Sequence, residues 1–249
     1  MKILNIIPII SDIWTDEMQK YVTKDLLPTT EVVSKNIRHG PASIEGEYDE
    51  ALAVPEVLFL TKKAEKDGFD AVFIDCFGEP GVRAARELVN IPVFGGFEPA
   101  IFYALGVADR IGIVSVLPEV VPLIREVVDR ESLQNRISSI RYVNIPVLSL
   151  EDIEKLAAAL IKESVKAIDE DHVEMIVLGC TAMVGVKERV EEGLKIEGYD
   201  VVVIEAAQAA LMMLETYVRM GLKHSVYTYP APREKKRAWW GGDIIVDII

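Results

Sequence analysis

The chain has 249 residues, half of them hydrophobic, with 27 Lys and Arg against 40 Asp and Glu for a formal net charge of −13. That length and apolar content suffice for a large core in one or two domains and exclude a disordered chain. The acidic balance argues against nucleic acid as a partner, since that binding rests on clustered cations releasing counterions, and no apolar run approaches the roughly 20 residues of a membrane-spanning helix.

The first apolar run, Met1 to Ile10, is β-rich and has no signal-peptide layout, so a cytoplasmic location is expected. Trp14, Met18, Tyr21, Val22 and Leu26 then fall at helical spacing. Thr30 to Ile37 predicts a second strand, and Arg38 to Tyr48, punctuated by Gly40-Pro41, a loop. A long helix over Asp49 to Asp67 follows, with Pro55 a point of kinking. Asp70 to Asp75 predicts a strand, Pro80 to Val89 a helix, Ile91 to Phe94 a strand and Glu98 to Val107 a helix.

From Arg110 the order begins again. Strands are predicted over Arg110 to Val116, Ser138 to Ile145, Met175 to Leu178 and Val201 to Ile204, and helices over Pro118 to Glu131, Glu151 to Asp169, the stretch ending near Lys195, and Glu205 to Met220. Short apolar strands alternating with helices imply parallel sheets covered on both faces. The expected fold is therefore α/β, with two pseudo-symmetric, doubly wound parallel-sheet domains and the site in the cleft between them. The expected domains are residues 1–97 with a returning tail of 222–249, and residues 98–221. The tail carries Tyr227, Tyr229, Trp239 and Trp240 and is expected to pack on the N-terminal half.

The two cysteines mark the repeat. Cys76 follows the run Ala71 to Asp75 and precedes Gly81-Val82-Arg83; Cys180 follows Met175 to Gly179 and precedes Gly185-Val186-Lys187. Ligands of doubly wound sheets bind beyond the carboxyl ends of the strands, where both cysteines fall. A thiol's ordinary pKa of about 8.5 is lowered by a helix N-terminus, and helix starts are expected at Pro80-Gly81 and near Ala182, so either thiol is expected to ionise near neutral pH. Two opposed thiols suit removal of a proton from one face of a stereocentre and its return on the other. Backbone N–H groups and hydroxyls near Phe77, Gly78, Thr181 and Ala182 are candidates to stabilise the enolate-like charge, and Thr181 also reads as a helix cap. Glu79, Glu98 and Glu205 lie near strand ends and could line the cleft, although a carboxylate opening a helix, as at Glu98 and Glu205, is favourable for structural reasons alone. A nucleophilic cysteine with a histidine base is the competing arrangement, and of His39, His172 and His224 only His39 is placed to serve it. No phosphate-binding fingerprint and no metal-ligand spacing is present, so no cofactor and no metal are expected.

These residues resemble the aspartate/glutamate/hydantoin racemase superfamily, and within it most closely the hydantoin and allantoin racemases. The likeness runs through nearly the whole chain. It is carried by Gly40-Pro41-Ala42-Ser43-Ile44-Glu45, Tyr48-Asp49-Glu50-Ala51-Leu52-Ala53, Cys76-Phe77-Gly78-Glu79-Pro80-Gly81, Pro92-Val93-Phe94-Gly95-Gly96 and Leu178-Gly179-Cys180-Thr181-Ala182-Met183. The resemblance implies a cofactor-independent racemase with Cys76 and Cys180 as its two bases, acting on a small molecule, and a homo-oligomer. It also implies substrate contacts at Pro8, Ser11, Ser43, Phe77, Gly78, Glu79, Thr181 and Ala182. Phe-Gly after Cys76 and Thr-Ala-Met after Cys180, in place of the amino-acid racemases' Asn-Thr and Thr-His or Thr-Glu, favour 5-substituted hydantoins. An amino-acid racemase, a related isomerase and a non-catalytic binding protein on the same fold are the alternatives. One departure stands out: where the family has an Asn-Pro-Asn turn near the N-terminus, this chain has Ile7-Pro8-Ile9.

Overall fold

The alternation of strand and helix is realised throughout the computed structural model, which describes residues 1–235. The first half runs β1 (Lys2–Ile7), α1 (Asp16–Thr23), β2 (Glu31–Asn36), α2 (Glu47–Lys66), β3 (Ala71–Ile74), α3 (Val82–Leu88), β4 (Val93–Phe94) and α4 (Phe97–Leu105). The second runs β5 (Ile111–Ser115), α5 (Val120–Arg130), β6 (Ile137–Tyr142), α6 (Ile153–Asp171), β7 (Met175–Leu178), α7 (Lys187–Ile196), β8 (Val202–Glu205) and α8 (Ala206–Met220). Each half forms one parallel four-stranded sheet with the same strand order, β2-β1-β3-β4 and β6-β5-β7-β8.

The strand sequences explain these places. The inner strands β3 and β7 are apolar at every position and buried at every position, as a strand covered by helices on both faces must be. The edge strands β2 and β6 carry Glu31, Lys35, Ser138 and Arg141 and are only partly buried. The two halves also match in register. Ile74 pairs with Ile6 and Leu178 with Val114, and the next backbone N–H in each case, from Asp75 or Gly179, donates back to the Ile6 or Val114 carbonyl at 2.8 Å. Each cysteine is therefore the residue that follows the last sheet hydrogen bond of an inner strand.

Among the described residues, three apolar clusters hold the molecule together, and two helices connect them across the halves. On one face of the first sheet Leu4, Ile6, Val72 and Ile74 pack with Val57 of α2 and Val82 of α3. The other face, with Ile3, Ala71, Phe73 and Phe94, is covered by Val22 of α1 and by Ala207, Ala210, Leu211 and Leu214 of α8. In return, Phe97, Ala100, Ile101 and Ala104 of α4 join the core of the second sheet with Ile111, Ile113 and Met175. Each fully buried Leu, Ile or Phe side chain contributes about 1.5–3 kcal/mol of transfer free energy, so α8 is bound chiefly to the first half although it follows the last strand of the second. The stretch 98–221, expected to pack as one domain, thus sends its final helix to the other lobe, and α4 and α8 pack against each other as they cross.

Local signals set several helix ends. Thr15 caps α1 by accepting from Met18 N, Asp152 caps α6 by accepting from Lys155 N, and Gly221 closes α8 in the left-handed region at φ 67°. One end differs from expectation: the helix after Cys180 begins at Lys187 and not near Ala182. Buried Glu205 explains the position, since its Oε1 accepts from the N–H groups of both Val186 and Lys187 at 3.1 Å. Residues 180–186 form neither helix nor strand, with Gly185 at φ 75°. In the tail, His224 Nε2 accepts from Val93 N at 2.9 Å and Arg86 donates to the Tyr229 hydroxyl at 3.0 Å, so this part lies against the N-terminal half. Tyr227 is 96% exposed, and Trp239 and Trp240 fall outside the described residues. No helix among the described residues is long and apolar enough to cross a membrane.

Candidate active site

The turns after β3 and β7 face one another, and a pocket opens between them. Its wall contains Cys76, Phe77 and Gly78 from the first turn and Gly179, Cys180, Thr181 and Ala182 from the second. Ile7, Pro8, Ile9, Ile13 and Trp14 close it on the side of β1, Val116, Val120 and Leu123 on the side of β5 and α5, and Ile44 and Val147 complete the lining. Glu45, next to Ile44, links these two residues' loops by accepting from Val147 N at 2.9 Å. Among the described residues, the only carboxyls in this wall are Glu50 and Asp75, and no Lys, Arg or His contributes to it.

Close approach of the two lobes depends on Gly96. Its N–H donates to the Cys76 carbonyl at 3.0 Å, and a Cβ there would lie 2.6 Å from Thr181 Cγ2 and 3.3 Å from that same carbonyl. Any side chain at this position would push the two cysteine-bearing turns apart.

The electrostatics of the pocket follow from burial without a counter-cation. Burial pushes the Cys180 thiol up to about 12, against the N–H groups of Ala182 and Met183, which favour the thiolate. Cys76 is likewise raised, by burial first and then by the charge of Glu50, with the Gly78 N–H acting in the opposite direction. The expectation that helix N-termini bring both thiols toward neutral pH is thereby corrected: α3 and α7 begin six and seven residues beyond the cysteines, outside the one turn over which a helix dipole acts. The backbone N–H groups of Gly78, Ala182 and Met183 favour the thiolates, but desolvation outweighs them. Asp75 is raised to about 7 by burial, with Asn5 and Thr181 pulling it down; Asn5 Nδ2 donates to its Oδ2 at 3.0 Å. Glu50 is raised to about 7 by burial and by the charges of Glu126 and Glu47.

Of the residues the sequence singled out, Cys76, Cys180, Pro8, Phe77, Gly78, Thr181 and Ala182 come together in this wall, and Ser11, Ser43 and Glu79 do not. The Ser11 carbonyl accepts from Asn36 Nδ2 at 2.9 Å, and from the Ser43 loop it is the neighbouring Ile44 that reaches the pocket. Glu79, in the left-handed region at φ 61°, turns away behind the site, where its Oε1 accepts from Glu98 N at 2.9 Å. Glu98 is a buried partner of Arg86, and Glu205 caps α7, so neither lines the cleft. The histidines are elsewhere too. His39 stands exposed beside Glu56, His172 ends α6 in the left-handed region, and His224 is packed under β4 with its pKa lowered to about 4 by burial and the charge of Arg86. A cysteine–histidine pair is thus absent from the described residues of the pocket, and no group of three or more metal-ligating side chains occurs among the described residues.

Sequence reasoning did not single out Glu50, Asp75 or the apolar set of Ile13, Trp14, Val120, Leu123 and Val147. The signal for Glu50 was its spacing: it follows Glu47 on the first turn of a helix directly after the Ser43-Ile44 loop.

The Asp/Glu/Hydantoin racemase family matches residues 3–214. The chain is 37% identical to the hydantoin racemase of Pseudomonas sp. (strain NS671) over 209 residues, 82% of each chain, and 36% identical to that of Paenarthrobacter aurescens over 239 residues, 95% of this chain and 99% of the relative. In three dimensions it resembles the allantoin racemase of Pseudomonas fluorescens, with a TM-score of 0.89 and 31% identity over 96% of this chain and 100% of the other. Two repeated parallel sheets, a pocket between the two cysteine turns and relatives of this similarity along most of the chain lead to one conclusion: the protein belongs to the Asp/Glu/hydantoin racemase family and is a racemase, an isomerase.

Proposed function

We propose that the protein racemises 5-substituted hydantoins without a cofactor, with Cys76 and Cys180 as the two bases. The observation that carries the reading is that two cysteines from different lobes enter a single apolar pocket, each directly after an inner strand. In the forward direction the thiolate of one cysteine takes the proton from the ring carbon between a carbonyl and the substituent. The C–H bond breaks, an S–H bond forms, and the electron pair passes to the carbonyl oxygen as an enolate. The thiol of the other cysteine then returns a proton to the opposite face and becomes the thiolate. The reverse reaction exchanges the two roles. Backbone N–H groups at Gly78, Ala182 and Met183 favour the thiolates, which burial otherwise makes scarce.

The wall also supports this substrate class over the amino-acid alternative. Aspartate and glutamate bring two carboxylates each, and the described wall offers them two further carboxyls and no cation. A neutral ring avoids that cost. Ile7 and Ile9 stand where the family's asparagines do, and with Ile13, Trp14 and Leu123 they make an apolar surface suited to an aliphatic or aromatic 5-substituent.

The test is chiral chromatography of single enantiomers without added cofactor. We expect 5-benzyl- and 5-isopropylhydantoin to racemise fastest, allantoin more slowly, and aspartate and glutamate at less than about 1% of the best rate. The activity should survive chelators and carbonyl reagents and be abolished by thiol alkylation. Turnover of aspartate or glutamate above the hydantoins would reassign the substrate, loss to a chelator with rescue by one metal would reject the thiol mechanism, and turnover of nothing in the panel would favour a binding role.

A further inference from the structure

An enolate in this pocket needs a hydrogen-bond donor, and the nearby backbone N–H groups have other roles: those of Gly78, Ala182 and Met183 favour the thiolates, and that of Met183 donates to the Cys180 carbonyl at 3.1 Å. Among the described residues, the remaining polar atoms of the wall are few. Glu50 Oε1 is buried without a hydrogen-bond partner, and it projects from the first turn of α2 into the wall beside Cys76. The position is tightly determined, since a methyl group on Gly78 would lie 2.1 Å from Glu50 Oε1 and 3.8 Å from Cys76 Sγ. Gly78 is thus the space through which the carboxyl meets the pocket.

The geometry points to Glu50 as the hydrogen-bond donor to the carbonyl oxygen that becomes the enolate, acting as a neutral carboxylic acid. This rests on the proposed thiol chemistry. A carboxylate here would accept, not donate, and would oppose both the thiolate and the developing enolate; the neutral acid donates its one proton toward the enolate oxygen and no longer repels the thiolate. The groups that face Glu50 favour the acid. Glu47 of α2 and Glu126 of α5 resist its ionisation, and Arg130 of α5, which opposes them, is shared with Glu131 and Glu79 at 3.0 and 3.8 Å. With Glu50 raised to about 7, the acid is well populated at neutral pH. Asp75, the pocket's other carboxyl, also leaves its Oδ1 buried without a partner while its Oδ2 accepts from Asn5, so it is the rival assignment that the test must separate.

The consequence is a distinctive pH profile. The reacting form has one thiolate and a protonated Glu50. Below about pH 7 Glu50 stays protonated and kcat/KM rises about tenfold per pH unit as thiolate accumulates. Above it, each tenfold gain in thiolate is cancelled by a tenfold loss of the acid, and the profile flattens.

The experiment measures kcat/KM from pH 6 to 8.5 on one enantiomer of 5-benzylhydantoin, with the uncatalysed rate subtracted, for the parent, Glu50→Gln and Glu50→Leu, each checked by circular dichroism and thermal melting. The amide still donates but cannot titrate, so Glu50→Gln should lie within about tenfold of the parent at pH 6.5 and keep climbing through pH 8. Glu50→Leu should also climb but lie at least about 100-fold below, the usual cost of one oxyanion donor. A parent-like bend in Glu50→Gln would place the titration on another group, such as Asp75, and overturn the assignment. So would Glu50→Leu as active as Glu50→Gln, because the carboxyl would then act by charge alone. Should the leucine variant fail to fold, the glutamine profile decides. Cys76→Ser, measured alongside, separates the two readings: parental activity in that variant overturns the thiol chemistry, whereas an inactive Cys76→Ser with a fully active Glu50→Leu overturns only the role of Glu50.

Discussion

Replacing either Cys76 or Cys180 by serine is expected to lower racemisation about a thousandfold or more, without unfolding the protein. The size follows from the chemistry: general acid–base catalysis contributes about 10²–10⁴-fold per group, and groups that act as a unit fail together. Serine keeps the shape of the turn but ionises far less readily. The two variants should nevertheless differ from each other. Each keeps one thiol on one wall of the pocket, so each should exchange the ring proton of a single enantiomer for solvent deuterium, and the preferred enantiomer should be opposite in the two. Mass spectrometry of resolved enantiomers in deuterated buffer reads this directly. Full racemisation by one variant, or exchange of the same enantiomer by both, would mean that a single base serves both faces.

The largest loss of stability is expected from Arg86→Met, about 3–5 kcal/mol, the usual cost of stranding one partner of a buried ion pair. Arg86 and Glu98 are each 4% exposed. The guanidinium donates to both carboxylate oxygens of Glu98, at 2.9 and 2.5 Å, to the Val93 carbonyl at 3.0 Å and to the Tyr229 hydroxyl at 3.0 Å. Glu79 lies close behind, raised to about 8 by burial and by the charge of Glu98. Without Arg86, two carboxyls share a dry site in which only one can comfortably stay ionised, and melting should fall by about 10 °C. Arg86→Met with Glu98→Leu should recover most of that loss, because removing both partners leaves little to solvate. Calorimetry of the single and double variants checks both statements; a melting point for Arg86→Met within 2 °C or so of the parent would contradict them.

The strands and the repeat were legible in the sequence because they rest on local pattern. An unbroken apolar run such as Met175 to Leu178, short and followed by glycine, suits a buried strand, and two such runs each delivering a cysteine to a glycine turn reveal the duplication. The start of α7 was not legible, because it is set by Glu205, 18 residues beyond Lys187 in the chain. The environment of the thiols was missed for a similar reason. Placing a helix start after each cysteine suggested an easily ionised sulfur, whereas the net effect is desolvation by residues from both lobes. Glu50 and Asp75 were hidden differently: one reads as an ordinary acidic residue in the first turn of a helix, the other as the polar end of a strand, and only their convergence beside Gly78 and Thr181 makes them notable. Glu79 shows the converse error. Its place three residues after Cys76 suggested the cleft, but a left-handed backbone conformation sends it into the Arg86–Glu98 cluster instead.

The crossing of α4 and α8 makes the two lobes unsuitable as separate pieces. A fragment ending after β8 would leave Ile3, Ala71 and Phe73 without the leucines and alanines that cover them, and a fragment beginning at β5 would lack Phe97 and Ile101 from its interior. Neither gene half should yield a stable product alone, yet the two co-expressed, cut between α4 and β5 so that each fragment carries the helix its partner needs, should reassemble. The whole chain should melt in one calorimetric transition. A duplicated enzyme of this kind gains a single cooperative body from two similar halves because each half is completed by the other.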